Sequence, residues 1–140
     1  MTPSFTTPLR LEVIDDESWM VCEPLVYDSA LIGRIVVPRG FVSDLDSTPR
    51  WATLSYALVK GRGKAASVQH DWHYQTHEVR RETADAVFLE ALGVLGVDWR
   101  RYAMYRAVRW FGAASYRSGP TRYRILGNDA LPPPLPGDLA

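Results

Sequence analysis

Along the first 43 residues apolar and polar positions alternate with a period of two, and beyond them the spacing lengthens to that of helices. In "LRLEVI", Leu9, Leu11 and Val13 alternate with Arg10 and Glu12, the pattern of a half-buried strand. "SWMVCEPLVYD" continues with β-forming residues, but Pro24 cannot donate to a ladder and so marks an edge strand or a bulge. "LIGRIVVP", closed by Pro38 and Gly40, is a third strand and "FVS" a short fourth. Acidic turns at Asp15, Asp16 and Glu17 and at Asp28 and Ser29 separate these runs, and an antiparallel meander is expected.

After residue 43 the helical signals begin. Ser47 and Thr48 before Pro49 suit the cap and first turn of a helix that ends at Gly61. Further helices are predicted over about 64–77, 81–95 and 99–116. In the 81–95 helix Ala84, Val87, Phe88, Ala91 and Leu95 form one apolar stripe. Asp98 caps the aromatic-rich last helix, Gly119 and Pro120 are expected to end it, and "TRYRIL" reads as a short strand. The fold class predicted is α+β: an N-terminal antiparallel β-meander packed against about four C-terminal helices. Residues 1–126 read as a single domain, and 127–140 as a Pro-rich extended tail in polyproline conformation or lying on a partner.

Composition narrows the classes. The 140 residues suffice for a buried core without staples, and 46% hydrophobic with 23% charged residues is ordinary for a globular chain. Cys22 is the only cysteine, which excludes an intrachain disulfide framework. "MTPSFTTPLRLEVIDDE" lacks the basic-then-apolar order of a secretory signal, and no apolar stretch nears the roughly 18–20 residues that span a bilayer. The expected location is a reducing cytoplasm, and no membrane insertion is expected. The zero net charge hides a split. Residues 1–30 hold six acidic groups and one arginine, whereas 99–126 hold seven arginines and no acid. Either the two halves pack against one another, which is the favoured expectation, or the basic one meets an anionic partner.

Candidate chemistry centres on "VQHDWHYQTH", which contains all three histidines. On a helical wheel His70, His73, His77 and Tyr74 share a face opposite Val68 and Trp72, with Asp71 on the flank. A plain amphipathic helix would bury Trp72 and turn the histidines to water or a cleft. Imidazoles at i, i+3 and i+7 can converge on zinc, but the glutamate of the H-E-x-x-H helix is missing and hydrated histidines explain the face without a metal. Adjacent His70 and Asp71 point about 100° apart, too far for a His–Asp relay, although both can reach one metal or substrate. A His-Asp phosphohydrolase would need a histidine upstream, and none precedes His70. Asp44, leaving a strand end, either caps and turns the chain with Asp46, Ser47 and Thr48 or projects into a cleft. Asp85 lies beside the apolar stripe, so its carboxylate needs a partner: Arg80 or Arg81, His70, or a metal.

Together, "VPRGFVSDLDSTPR", "AASVQHDWHY", "RRETADAVFLEALGVLGV" and "YAMYRAVRWFG" resemble the phage and prophage family called domain of unknown function 1353. The resemblance rests on Pro38, Gly40, Phe41, Asp44, Ser47, Pro49, Ala66, His70, Asp71, Tyr74, Asp85, Phe88, Tyr105, Val108 and Arg109, with Arg81 as the matching arginine, and covers roughly residues 8–115. Ser43 stands where that pattern has threonine and Asp46 where it has alanine; the position of His73 is more often apolar, and His77 lies outside the pattern. The resemblance implies a phage or prophage origin. It draws attention from His73 and His77 to Asp44, His70, Asp71 and Asp85, with Tyr74, Arg81 and Arg109 in structural or partner-binding roles.

Three functions follow from these residues. The leading one is a virion component, tail-associated or acting in assembly, with a compact Asp–His–Asp polar site and with other phage proteins or a second copy as partners. The alternative is a metal-dependent hydrolase of cell-wall peptide or nucleic acid. In it Asp44, His70 and Asp85 would ligate a divalent ion such as zinc, manganese or iron, and Asp71 would orient His70 or act as general base. The same residues also suit a buried salt-bridge knot that fixes the fold. The third is nucleic-acid binding through the last helix, where arginines interleave with Trp99, Tyr102, Tyr105, Trp110 and Phe111. It ranks last because aromatics at such spacing more often fill a core.

Overall fold

The computed structural model of the protein describes residues 2–15, 18–43 and 62–126. Among these residues, six short strands come first: β1 (Ser4–Phe5), β2 (Leu11–Val13), β3 (Trp19–Val21), β4 (Leu25–Ser29), β5 (Gly33–Val37) and β6 (Val42–Ser43). Four helices follow: α1 (Lys64–Thr76), α2 (Arg81–Val94), α3 (Arg100–Phe111) and α4 (Ala113–Arg122). The class is α+β, antiparallel strands followed by helices. The helix expected over 47–61 and the tail 127–140 lie outside the described residues.

The strands form two three-stranded sheets, ordered β1-β4-β5 and β2-β3-β6, rather than one continuous meander. Pro24 stands where the chain leaves the second sheet for the first, between the central strands β3 and β4, so the proline expected on an edge strand or at a bulge marks a change of sheet instead. The longest pairing sets Leu25 opposite Val37 and Ser29 opposite Gly33. Alternation holds there: Leu25, Tyr27, Ile35 and Val37 are buried, while Arg34 and Val36 face outward. It fails on β2, where Val13 is exposed although it was expected to follow Leu9 and Leu11 inward.

The inward faces of the sheets meet α1 and α2 in one core. Phe41 sets its ring edge-on against Trp72 at 5.2 Å, and Val68, Val87, Phe88, Ala91 and Leu92 close over the strands. Each large side chain buried there contributes roughly 1.5–3 kcal/mol. The stripe predicted on α2 is present, with Leu92 joining it and Leu95 packed at its edge.

α1 lies between α2 and α4 and also touches β4 and β6. It is therefore buried on nearly all sides, where the wheel predicted a polar face. The helix expected over 99–116 breaks at Gly112 into α3 and α4, and α4 continues through Gly119 and Pro120, which were expected to stop it. Two side-chain arrangements permit this. Pro120 has no N–H for the carbonyl of Tyr116 four residues earlier, and His77 Nε2 donates to that carbonyl instead, its ring stacked on the Tyr116 ring at 3.8 Å. Gly119 sits directly against the backbone of α1, where a Cβ would stand 1.8 Å from the Tyr74 carbonyl oxygen. After α4 the expected strand is reduced to a single bridge between Ile125 and Phe41.

Candidate functional site

His70 and Tyr74 stand one turn apart on α1 and so project together toward α2, where Asp85 is fully buried. His70 Nε2 faces Asp85 Oδ1 at 2.8 Å and, opposite a carboxylate, donates to it. The Tyr74 hydroxyl donates to the same oxygen at 2.6 Å. Arg109 of α3 takes the other oxygen, Nη1 to Oδ2 at 2.7 Å. Arg81, one turn before Asp85, approaches Oδ2 at 3.7 Å and spends its donors on the Val108 and Arg109 carbonyls, 3.1 Å each, in the last turn of α3. Tilted ring contacts hold the imidazole in place, with the Tyr74 ring at 4.1 Å and the Phe88 ring at 4.6 Å. Gly112 makes room for the phenol, since a Cβ there would lie 2.6 Å from its oxygen.

The electrostatics follow from this packing. Burial alone would raise the Asp85 carboxyl, but hydrogen bonds from His70, Tyr74 and Arg109, with the charge of His70, outweigh it and hold the group below its ordinary value. Burial and the bond to Asp85 push the Tyr74 phenol far up, so it remains a donor. The Asp85 bond raises Arg109. One ionised carboxylate thus ties three helices together, and both of its oxygens are engaged.

Asp71 belongs to a different cluster. It points away from His70, as adjacent helical residues must, and accepts from Ser43 Oγ at 2.8 Å and Gln75 Nε2 at 3.1 Å. Arg122 of α4 lies 3.7 Å from its other oxygen. Asp71 therefore joins α1 to β6 and α4 and points away from His70, which the hydrolase reading had it orient unless it served as general base.

The third polar group on α1 was missed in the sequence. His73, expected on a solvated face, is 1% exposed and accepts from Gln69 Nε2 at 2.8 Å. Burial, with the neighbouring His70, lowers its pKa to about 4. Among the described residues, Gln69 Oε1 and Gln75 Oε1 are buried without a hydrogen-bond partner. His70 is buried as well, and of the three histidines His77 is the exposed one. A signal for this existed in the helix itself: Gln69 and Gln75, on either side of the histidines, carry no charge, so enclosing them costs the burial of amides rather than of ions.

Of the seven residues singled out from the sequence, His70, Tyr74, Arg81, Asp85 and Arg109 come together, Asp71 stands apart, and Asp44 lies outside the described residues. Among the described residues no three His, Cys, Asp or Glu side chains are placed to hold a metal ion. A cation at Asp85 would have to displace the Arg109 guanidinium and tolerate Arg81 beside it. Among the described residues, too, no helix is long and apolar enough to cross a membrane.

The aromatics of α3 were expected to fill a core, and their interleaving with arginine was ranked last as a nucleic-acid surface. Met104 and Val108 turn to the core. Trp99, Ala103, Arg106 and Trp110, spaced i, i+4, i+7 and i+11, turn outward with Tyr102 at their flank. Trp99 is 69% and Trp110 75% exposed, so these aromatics do not fill a core. The wheel position of Met104 and Val108 was the available signal.

No curated protein and no solved structure matches the chain. The family model described as "Protein of unknown function (DUF1353)" matches residues 19–108, a span that holds His70, Tyr74, Arg81 and Asp85 and ends one residue before Arg109. That span is more than half of the chain, and the protein belongs to the DUF1353 family.

Proposed function

We propose that the protein is a non-catalytic docking component of a phage particle or of its assembly. The observation that carries this is the outer face of α3, where Trp99, Tyr102 and Trp110 stand in solvent around Arg106. Exposed tryptophan costs hydration free energy in an isolated protein, and Trp, Tyr and Arg are the side chains that dominate binding energy at interfaces. The Asp85 cluster gives this face its rigidity. Arg109 anchors α3 to the buried carboxylate and Arg81 holds its last carbonyls, so the helix is presented in one orientation. The phage setting is supported by the resemblance carried by the motifs around Asp44, His70, Asp85 and Arg109.

The metal-dependent hydrolase draws less support, because both Asp85 oxygens already accept hydrogen bonds and one accepts from a guanidinium. Mass spectrometry of purified particles from a phage that encodes this chain tests the proposal. The chain is expected in wild-type particles and lost from them when Trp99 and Trp110 are both changed to alanine, with folded protein still present in the infected cell. Absence of the wild-type chain from particles would sink a particle role.

A further inference from the structure

We infer that the outer face of α3 binds single-stranded nucleic acid; this rests on the reading of that face as the docking surface and names its occupant. Three observations point to this chemistry. First, the charge is one-sided: from Trp99 to Leu126 the sequence holds seven arginines and no carboxylate. Although Arg100, Arg109 and Arg122 pair with Asp98, Asp85 and Asp71, Arg106, Arg117 and Arg124 are exposed. Second, two of the N-terminal acids are engaged locally, Glu23 with Arg10 and Asp28 with Arg34, and α3 and α4 carry no acid of their own beside the exposed Arg106 and Arg117. Third, the large outward groups on α3 are aromatic rings and guanidiniums, with no aliphatic side chain larger than alanine between them.

The combination separates the candidate partners. A protein groove that receives a helix is filled by aliphatic as well as aromatic anchors, and the outward face of α3 offers no aliphatic anchor larger than alanine. Here Arg106 stands at the centre, between Trp99 and Trp110, which lie about 16 Å apart along the axis at 1.5 Å per residue. Exposed indole and phenol faces interleaved with arginine suit unpaired bases stacked on rings, with phosphates held between them. Arg100 and Arg101 already lie over the Trp99 and Tyr102 rings, 5.6 Å and 4.8 Å from the centroids, so cations are held next to the stacking surfaces.

Fluorescence polarisation of a labelled oligothymidylate with the full chain tests the inference. Saturable binding is expected, stronger than to a duplex of equal length, with affinity falling steeply as salt rises. The Trp99→Ala/Trp110→Ala double variant is expected to bind at least about ten-fold more weakly at fixed salt. Arg106→Ala should flatten the log–log salt slope by about 0.7. Circular dichroism checks that both variants remain folded. No binding at low salt, binding indifferent to the tryptophans, or equal competition by polyglutamate would overturn the inference, the last in favour of an acidic protein partner. If the oligonucleotide fails but particle incorporation still depends on Trp99 and Trp110, the docking role stands and only its nucleic-acid occupant falls. If the wild-type chain is also missing from particles, both fall.

Discussion

His73 shows what a single buried side chain does to the pH response of this fold. Its imidazole is closed off from water, its Nδ1 accepts from Gln69, and burial with the neighbouring His70 brings its pKa down from 6.5 to about 4. The unfolded chain therefore binds a proton at a pH where the folded protein does not. Stability from this group is complete above about pH 6.5 and is lost progressively as pH falls toward 4, on the order of 3 kcal/mol across the window. Asp85 acts lower down: with a folded value below the ordinary carboxyl range, its contribution is present above about pH 4 and lost on further acidification. Urea midpoints measured from pH 7 to pH 4 are expected to fall for the wild-type chain. The fall should be much shallower in His73→Gln, which keeps a hydrogen-bonding group but cannot take up the proton. Parallel curves for the two would show that His73 is not the group responsible.

Elements differ in how openly the sequence announces them. The stripe on α2 was legible because its apolar residues are continuous and one face meets the core. α1 was legible as a helix but not in its surroundings: Gln69, His70, His73 and Gln75 look like a solvated face until α2 and α4 close over them. On α3 the usual hydropathy order is partly reversed, with Arg109 turned inward to a buried carboxylate and Trp99 and Trp110 outward. No periodicity announces that, because the need for Arg109 is created by Asp85, 24 residues away. The path of α4 was misread at Pro120 for a related reason: the carbonyl that proline leaves unpaired is satisfied by His77 from another helix. Contact between α1 and α4 depends on Gly119, whose missing side chain admits the Tyr74 carbonyl. Gly119→Ala is expected to destabilise by about 3 kcal/mol, since the clash is with backbone that cannot rotate aside. Thermal or urea denaturation measures this, and a cost under about 0.5 kcal/mol, as for an ordinary surface site, would show that α4 can move away freely.

Across the whole molecule the Asp85 cluster and the α3 face form one chain of support, from a buried carboxylate through Arg109 to exposed tryptophan. Asp85→Asn keeps the shape of the side chain and removes its charge, leaving Arg109 and Arg81 beside a neutral amide. Breaking a buried pair in this way costs about 3–5 kcal/mol, most of it for the charge left uncompensated. The expected readout is a lower urea midpoint with an unchanged slope. The same preparations separate a purely structural cluster from a metal centre. If the carboxylate is saturated by protein donors, a chelator leaves the wild-type midpoint where it was. His70→Ala then melts earlier with the same metal content by elemental analysis. A midpoint that falls with chelator and returns with zinc, or stoichiometric metal lost in His70→Ala, would assign the cluster to metal chemistry and restore the hydrolase as the leading function.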